Sequence, residues 1–143
     1  MNNRAEKAAR FLALHHQEHP LLLTNAWDAG SARLLASLKF DALATTSSGY
    51  AATLGRLDQS VSREEAVAHA GALVAATDLP VSGDLENGFA EDPVGVAETV
   101  RLALDVGLAG CSVEDWSGAH GLYDAEVAAE RVVAAAEAAR PRP

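Results

Sequence analysis

The sequence predicts an α/β protein built on parallel strands: a leading helix, then four strand-plus-helix units in strict alternation. Short runs of Leu, Val and Ala recur between longer stretches of helical periodicity. Capping residues open the helical stretches, and Gly or Pro closes them. Composition agrees, since 49% of residues are hydrophobic but only 5% aromatic, which suits Ala-rich helices packed on a buried parallel sheet. Alternation of this kind implies right-handed crossovers between neighbouring strands.

Asn3 to Gln17 reads as a helix with Ala8, Phe11, Leu12 and His15 on one side. Leu21 to Thr24 is a short strand, Asp28-Ala29-Gly30 a turn, and Ser31 to Lys39 a helix. Asp41 to Thr46 gives the second strand, and the Gly-rich polar stretch Ser47 to Gln59 a long loop. Ser62 followed by Glu65 is a capping box that opens a helix from Arg63 to Ala76. Val81 to Asp84 is the third strand. Asp92-Pro93, an N-cap followed by proline at the first helical position, starts a helix that Gly107 stops. Ala109 to Val113 is the fourth strand, with Cys111 inside it as a small core residue. Asp124 caps a last helix through Ala139, which Arg140-Pro141-Arg142-Pro143 cannot continue.

A chain of 143 residues fits one domain, 1–143, and no linker or low-complexity tract divides it. Two architectures fit the rhythm: an open doubly wound sheet, or the first half of a (β/α)8 TIM-type barrel, whose full circle takes ~250 residues. Both place chemistry at the C-terminal ends of the strands.

The net charge of -9 argues against a nucleic-acid partner, which requires a basic surface. A single cysteine excludes an intrachain disulfide. Met1 to Pro20 carries charges and only the brief apolar run Phe11 to Leu14, and no stretch approaches a membrane span. The expected address is cytoplasmic, with no membrane partner. No P-loop or dinucleotide fingerprint appears. His15 and His19 are spaced like a metal-binding pair but read as an exposed helix face without a third ligand.

The strand ends collect polar and acidic groups: Asn25-Ala26-Trp27-Asp28, Thr45-Thr46-Ser47-Ser48-Gly49-Tyr50, Asp84 with Glu86, and Glu114 with Asp115. Asp84, Glu86 and Glu114 share one rim, where carboxylate oxygens suit a hard cation such as Mg²⁺.

Five segments in order resemble the isocitrate lyase/phosphoenolpyruvate mutase superfamily of modified TIM barrels: Asn25 to Ala32, Thr46 to Gly49, Leu54 to Asp58, Gly83 to Phe89 and Gly110 to Asp115. The resemblance implies a Mg²⁺-dependent enzyme acting on a small 2-oxo acid or an enolpyruvyl or phosphonate compound. It forms or breaks a C–C or P–C bond through a metal-stabilised enolate. Asp84, Glu86 and Glu114 then form the Mg²⁺ shell, with Glu86 standing where many relatives have Asp. Ser47, Ser48 and Gly49 grip the substrate's anionic group through hydroxyl and N–H donors. Asp58 sits on the segment resembling a gating loop, and it reads equally as a solvated loop acid; with Ser47 it is the implied catalytic pair. Trp27 and Asp28 line the pocket floor, or, as equally good readings, Trp27 packs and Asp28 caps the next helix.

Two departures qualify the resemblance. The bond-cleaving lyases carry a Lys-Lys/Arg-Cys-Gly-His motif after the fourth strand, where this chain has Trp116 to Asp124 with His120 and no cysteine; this favours the mutase-like or hydrolase-like branch. The sequence also stops where a fifth strand would begin, so the expectation is a truncated half-barrel that forms a homo-oligomer if it folds. The competing readings are a catalytically silent half-barrel serving as an assembly module, and a self-sufficient open-sheet domain with a metal-responsive acidic rim.

Overall fold

The computed structural model describes residues 3–118 and 120–140, so the expectation for Pro141 to Pro143 lies outside the described residues. The first helix, α1 (Asn3–Leu14), is shorter than expected. It buries Phe11 and Leu14 against Ala42, Leu21 and Ala109, while Leu12 is 62% exposed. The buried apolar part of the helix is thus a single i,i+3 pair, and the predicted Leu12 side faces out. His15 lies past the helix end, its Nδ1 2.8 Å from the Phe11 carbonyl and its ring edge-on to Phe11. It therefore makes no helical pair with His19.

Four parallel strands follow, β1 (Thr24–Asn25), β2 (Leu43–Ala44), β3 (Val81–Asp84) and β4 (Gly110–Ser112), hydrogen-bonded in the order β1-β2-β3-β4. A doubly wound sheet needs a point where strand order reverses. Strict sequential order has none, and it is the winding of a (β/α) barrel. The first two strands are shorter than the sequence suggests because inter-strand bonds form only towards their C-terminal ends, from Leu43 N to Pro80 O, Thr45 N to Ser82 O and Ala26 N to Ala44 O. Leu22, counted in the first strand, is 71% exposed.

Three crossover helices begin where their caps predict, whereas the one after β1 starts at Ala29, two residues before the expected Ser31, because Asp28 caps it directly and draws the expected turn into the helix. For α2 (Ala29–Ser37) Asp28 and Ser31 form a reciprocal capping box, and for α4 (Arg63–Ala76) Ser62 and Glu65 do the same. In α5 (Pro93–Asp105) Asp92 Oδ1 accepts from the N–H groups of Val94 and Gly95. Asp124 holds the N-cap position of α6 (Ala125–Ala139) without a side-chain cap bond.

One element departs from the expected loop. Ser47–Thr53 is a helix, α3, opened by Thr46, whose Oγ1 accepts from Gly49 N. Small helix-compatible residues and a tertiary anchor at Asp84 outweigh the turn-like composition.

Alternation along β3 positions the site. Val81, Gly83 and Leu85 are buried, and Val81 and Leu85 join Leu43, Leu73, Val100 and Ala103 in the core between sheet and helices. Gly83 has no room for a side chain, since a Cβ would lie 2.5 Å from Leu108 Cδ1. Ser82 and Asp84 project from the opposite face. Cys111 pairs in register with Gly83 on the helix side, yet it is exposed rather than part of the core. It opens onto an apolar groove of about 420 Å³ lined by Val100, Leu104, Val113, Val132 and Ala135. Those close apolar neighbours still raise its thiol pKa by desolvation. Among the described residues no helix is long and apolar enough to cross a membrane.

Candidate active site at the C-terminal strand ends

Asp84, the last residue of β3, is held on several sides. Its Oδ2 accepts from the backbone N–H of Ser47 at 2.8 Å and from the Ser47 hydroxyl at 2.9 Å. Its Oδ1 accepts from Glu86 N at 3.2 Å, and its own N–H donates to Thr45 Oγ1 at 2.8 Å. Charge-assisted bonds from the start of α3 to this carboxylate fix its orientation.

Glu86 adopts a left-handed backbone, φ 47°, and is only 7% exposed. Its Oε1 is buried and has no hydrogen-bond partner among the described residues. Burial, then the nearby charges of Asp58, Asp84 and Glu114, push its carboxyl up to about 7. Glu114 continues the strand pairing, its N–H donating to Glu86 O at 2.7 Å, and burial followed by Asp84, Asp58 and Asp115 raises its carboxyl as well.

Five acids therefore share one field, and the most enclosed of them lacks a partner. An unpaired carboxylate oxygen among like charges is the deficit a divalent cation relieves. Among the described residues no three His, Cys, Asp or Glu side chains converge into a ready-made metal cage. That arrangement still fits Mg²⁺, which keeps several waters and takes one or two carboxylates directly. Asp84 and Glu86 are the carboxylates that would hold it.

The Ser47-Ser48-Gly49 segment is the first turn of α3, not an open nest. Ser47 already spends its N–H and hydroxyl on Asp84, Gly49 N bonds Thr46 Oγ1, and exposed Ser48 keeps its hydroxyl 3.3 Å from Thr46 Oγ1. Trp27 is 52% exposed, and its indole lies so close to Gly49 that a Cβ there would come within 2.7 Å of the ring. The Trp27 carbonyl accepts from His69 Nε2, and the His69 ring stacks on Tyr50 at 3.8 Å. Trp27 thus packs and borders the rim at once.

Asp58 lies in the exposed segment between α3 and α4, its Oδ1 accepting from Gln59 N. The Gln59 side chain meets Gly118, so the segments after β2 and β4 close over the β3 acids. Between them is a polar pocket of about 300 Å³ lined by Gln59, Val61, Glu86, Asn87, Trp116 and Gly118. The loop after β4 is pinned by an antiparallel bridge between Trp116 and Leu122, and His120 N donates to Ser117 Oγ within it. The sequence places Thr45 at a strand end without giving it a role, and it gives none to Tyr123 or Arg131; the latter two gain meaning only from tertiary contacts.

Fold and rim together define the class, an α/β unit with barrel winding and an acidic centre where the strands end. Residues 11–143 match the family model described as phosphoenolpyruvate phosphomutase, and the chain belongs to that family, within the isocitrate lyase/phosphoenolpyruvate mutase superfamily. An uncharacterized protein of Mycobacterium tuberculosis (strain H37Rv) is 36% identical over 124 residues, covering 87% of this chain and 46% of that protein. The 2-methylisocitrate lyase of Halalkalibacterium halodurans is 34% identical over 111 residues, 77% of this chain and 37% of that enzyme. Among solved structures, a Burkholderia cenocepacia J2315 protein superposes with a TM-score of 0.96 at 46% identity, covering 99% of this chain and 52% of the other. The chain spans about half the length of these relatives or less.

Proposed function

We propose that this chain carries the metal-binding half of a Mg²⁺-dependent lyase or mutase acting on a small 2-oxo acid or an enolpyruvyl or phosphonate compound. The observation that supports it is the buried, partnerless Glu86 Oε1 beside the Asp84 carboxylate clamped by Ser47. When bound, Mg²⁺ supplies positive charge to the substrate's oxygens. The chain's own residues do the rest. Ser47 fixes Asp84, Glu86 and Glu114 set the field, Ser48 offers an exposed hydroxyl to an anionic group, and Asp58 closes from the α3–α4 segment and excludes water. The loop Trp116 to Asp124 offers no cysteine as general acid, which favours the mutase-like or hydrolase-like branch over isocitrate-type cleavage.

The test is titration with Mg²⁺, followed by Trp27 and Trp116 fluorescence, on the wild type, Asp84→Ala and Glu86→Gln. A saturable response confined to the wild type supports the reading. Equal responses in all three sink it.

The groove beside Cys111 favours a second reading, in which the chain acts through assembly. Its apolar lining lies next to the outer edge of β4, and an uncovered strand edge invites pairing. A concentration-dependent increase in mass by light scattering supports this role, and a monomer at all concentrations refutes it.

A further inference from the structure

The turn after β3 concentrates unusual backbone geometry. Glu86, Gly88 and Phe89 have φ of 47°, 76° and 53°, and two of these residues carry side chains that disfavour the left-handed region. Such a turn aims several carbonyls to one side, and buried carbonyls need partners. Here the partner is a single side chain from a distant helix. Arg131 of α6, only 1% exposed, donates from Nη1 to the carbonyls of Ala90 and Glu91 and from Nη2 to that of Asn87.

The same guanidinium sits 4.0 Å from the centroid of the Tyr123 ring. The Tyr123 hydroxyl donates to Glu91 Oε2 at 2.9 Å and accepts from Asn87 Nδ2 at 3.0 Å. Inside the turn, Asn87 Oδ1 accepts from Phe89 N, and Thr99 donates to Gly88 O at 2.6 Å. Among the described ion pairs none involves Arg131. A buried cation without a carboxylate partner is costly unless dipoles surround it. The carbonyls and the ring face provide them.

We propose that Arg131 is the positioning residue of the acidic centre: stacked on Tyr123 and bonded to the carbonyls of Asn87, Ala90 and Glu91, it holds the left-handed turn that directs Glu86 inward. The inference rests on the reading of Glu86 as a metal ligand. Arg131 reaches none of the acids proposed to hold the metal, so its influence passes through the backbone. A planar fork of donors is required, because one ammonium cannot serve three carbonyls and lie against the ring together.

Arg131→Lys keeps the charge and loses the fork. Hydrogen exchange of the metal-free chain is read at Glu86, Gly88 and Phe89, whose amides bond Asp84 Oδ1, Leu85 O and Asn87 Oδ1. Leu43 and Thr45 amides in β2 and beside it serve as internal references. The expected result is at least tenfold faster exchange at the three turn amides, unchanged references, and an Mn²⁺ dissociation constant raised at least tenfold. Turn amides exchanging at the wild-type rate overturn the proposal, as does a uniform acceleration that includes the references. If Arg131→Lys does not fold, Tyr123→Phe, which keeps the ring and removes the bridge to Asn87 and Glu91, is read by the same criteria. Failure of the wild type to bind Mn²⁺ refutes the metal reading, and the exchange ratio still decides the role of Arg131.

Discussion

Replacing Glu86 by Gln removes a charge from the most enclosed acid at the rim and leaves its shape nearly intact. The carboxyl moves from 4.5 to about 7 on folding, an upward shift that corresponds to ~3 kcal/mol. Below pH 4.5 both folded and unfolded chains hold the proton, so the group is neutral to stability. Between 4.5 and about 7 the folded chain keeps a proton that the unfolded chain has lost, and stability falls as pH rises. Above that window the loss is complete. With an m-value of about 2 kcal/mol per M, this one group lowers the urea midpoint by roughly 1.5 M across the window. The assay is urea unfolding in EDTA from pH 4.5 to 8, followed by circular dichroism, for the wild type and Glu86→Gln. Their difference cancels the titrating groups that do not interact with Glu86. The Gln variant is expected to be the more stable by roughly 1–3 kcal/mol at pH 8 and equal at pH 4.5. Saturating Mg²⁺ is expected to stabilise only the wild type, by about 2.7 kcal/mol at a hundred times the dissociation constant. Parallel pH curves for the two proteins would refute the account of Glu86 as a buried acid in a field of like charge.

Gly49→Ala forces a Cβ to within 2.6 Å of Thr46 Cγ2 and 2.7 Å of the Trp27 ring, and a loss of about 1–3 kcal/mol is expected by urea unfolding, with an altered Trp emission. Ser62→Ala breaks the capping box of α4 and is expected to cost about 1 kcal/mol, checked by thermal unfolding. The Cys111 thiol is accessible but has a raised pKa, so alkylation is expected to be slower than that of a free cysteine at pH 7 and to rise steeply towards pH 10; labelling at the rate of free cysteine refutes this.

What the sequence disclosed depended on whether the cause was local. Ser62 with Glu65, Asp92 with Pro93, and Gly107 fix helix ends through neighbouring atoms, and those boundaries hold within a residue or two. The third strand was legible because its alternation of buried and half-buried residues is complete. Ser47 to Thr53 was not, because the partner that steadies its first turn, Asp84, lies 37 residues away. Cys111 misled because an apolar run does not say whether a neighbouring layer covers it. The acids at the rim were readable as types at strand ends. The orphaned oxygen of Glu86 exists only once the segments after β2 and β4 meet over β3, and the Arg131 contacts only once α6 is laid beside α5.

Both tryptophans of the chain sit where the strands end: Trp27 against Gly49, and Trp116 beside the pocket over Glu86. Intrinsic emission therefore views one end of the molecule and leaves the interior around Leu73 and Val100 dark. A denaturation curve traced by fluorescence records loosening of that end. It equals the melting of the whole only if a backbone signal traces the same transition.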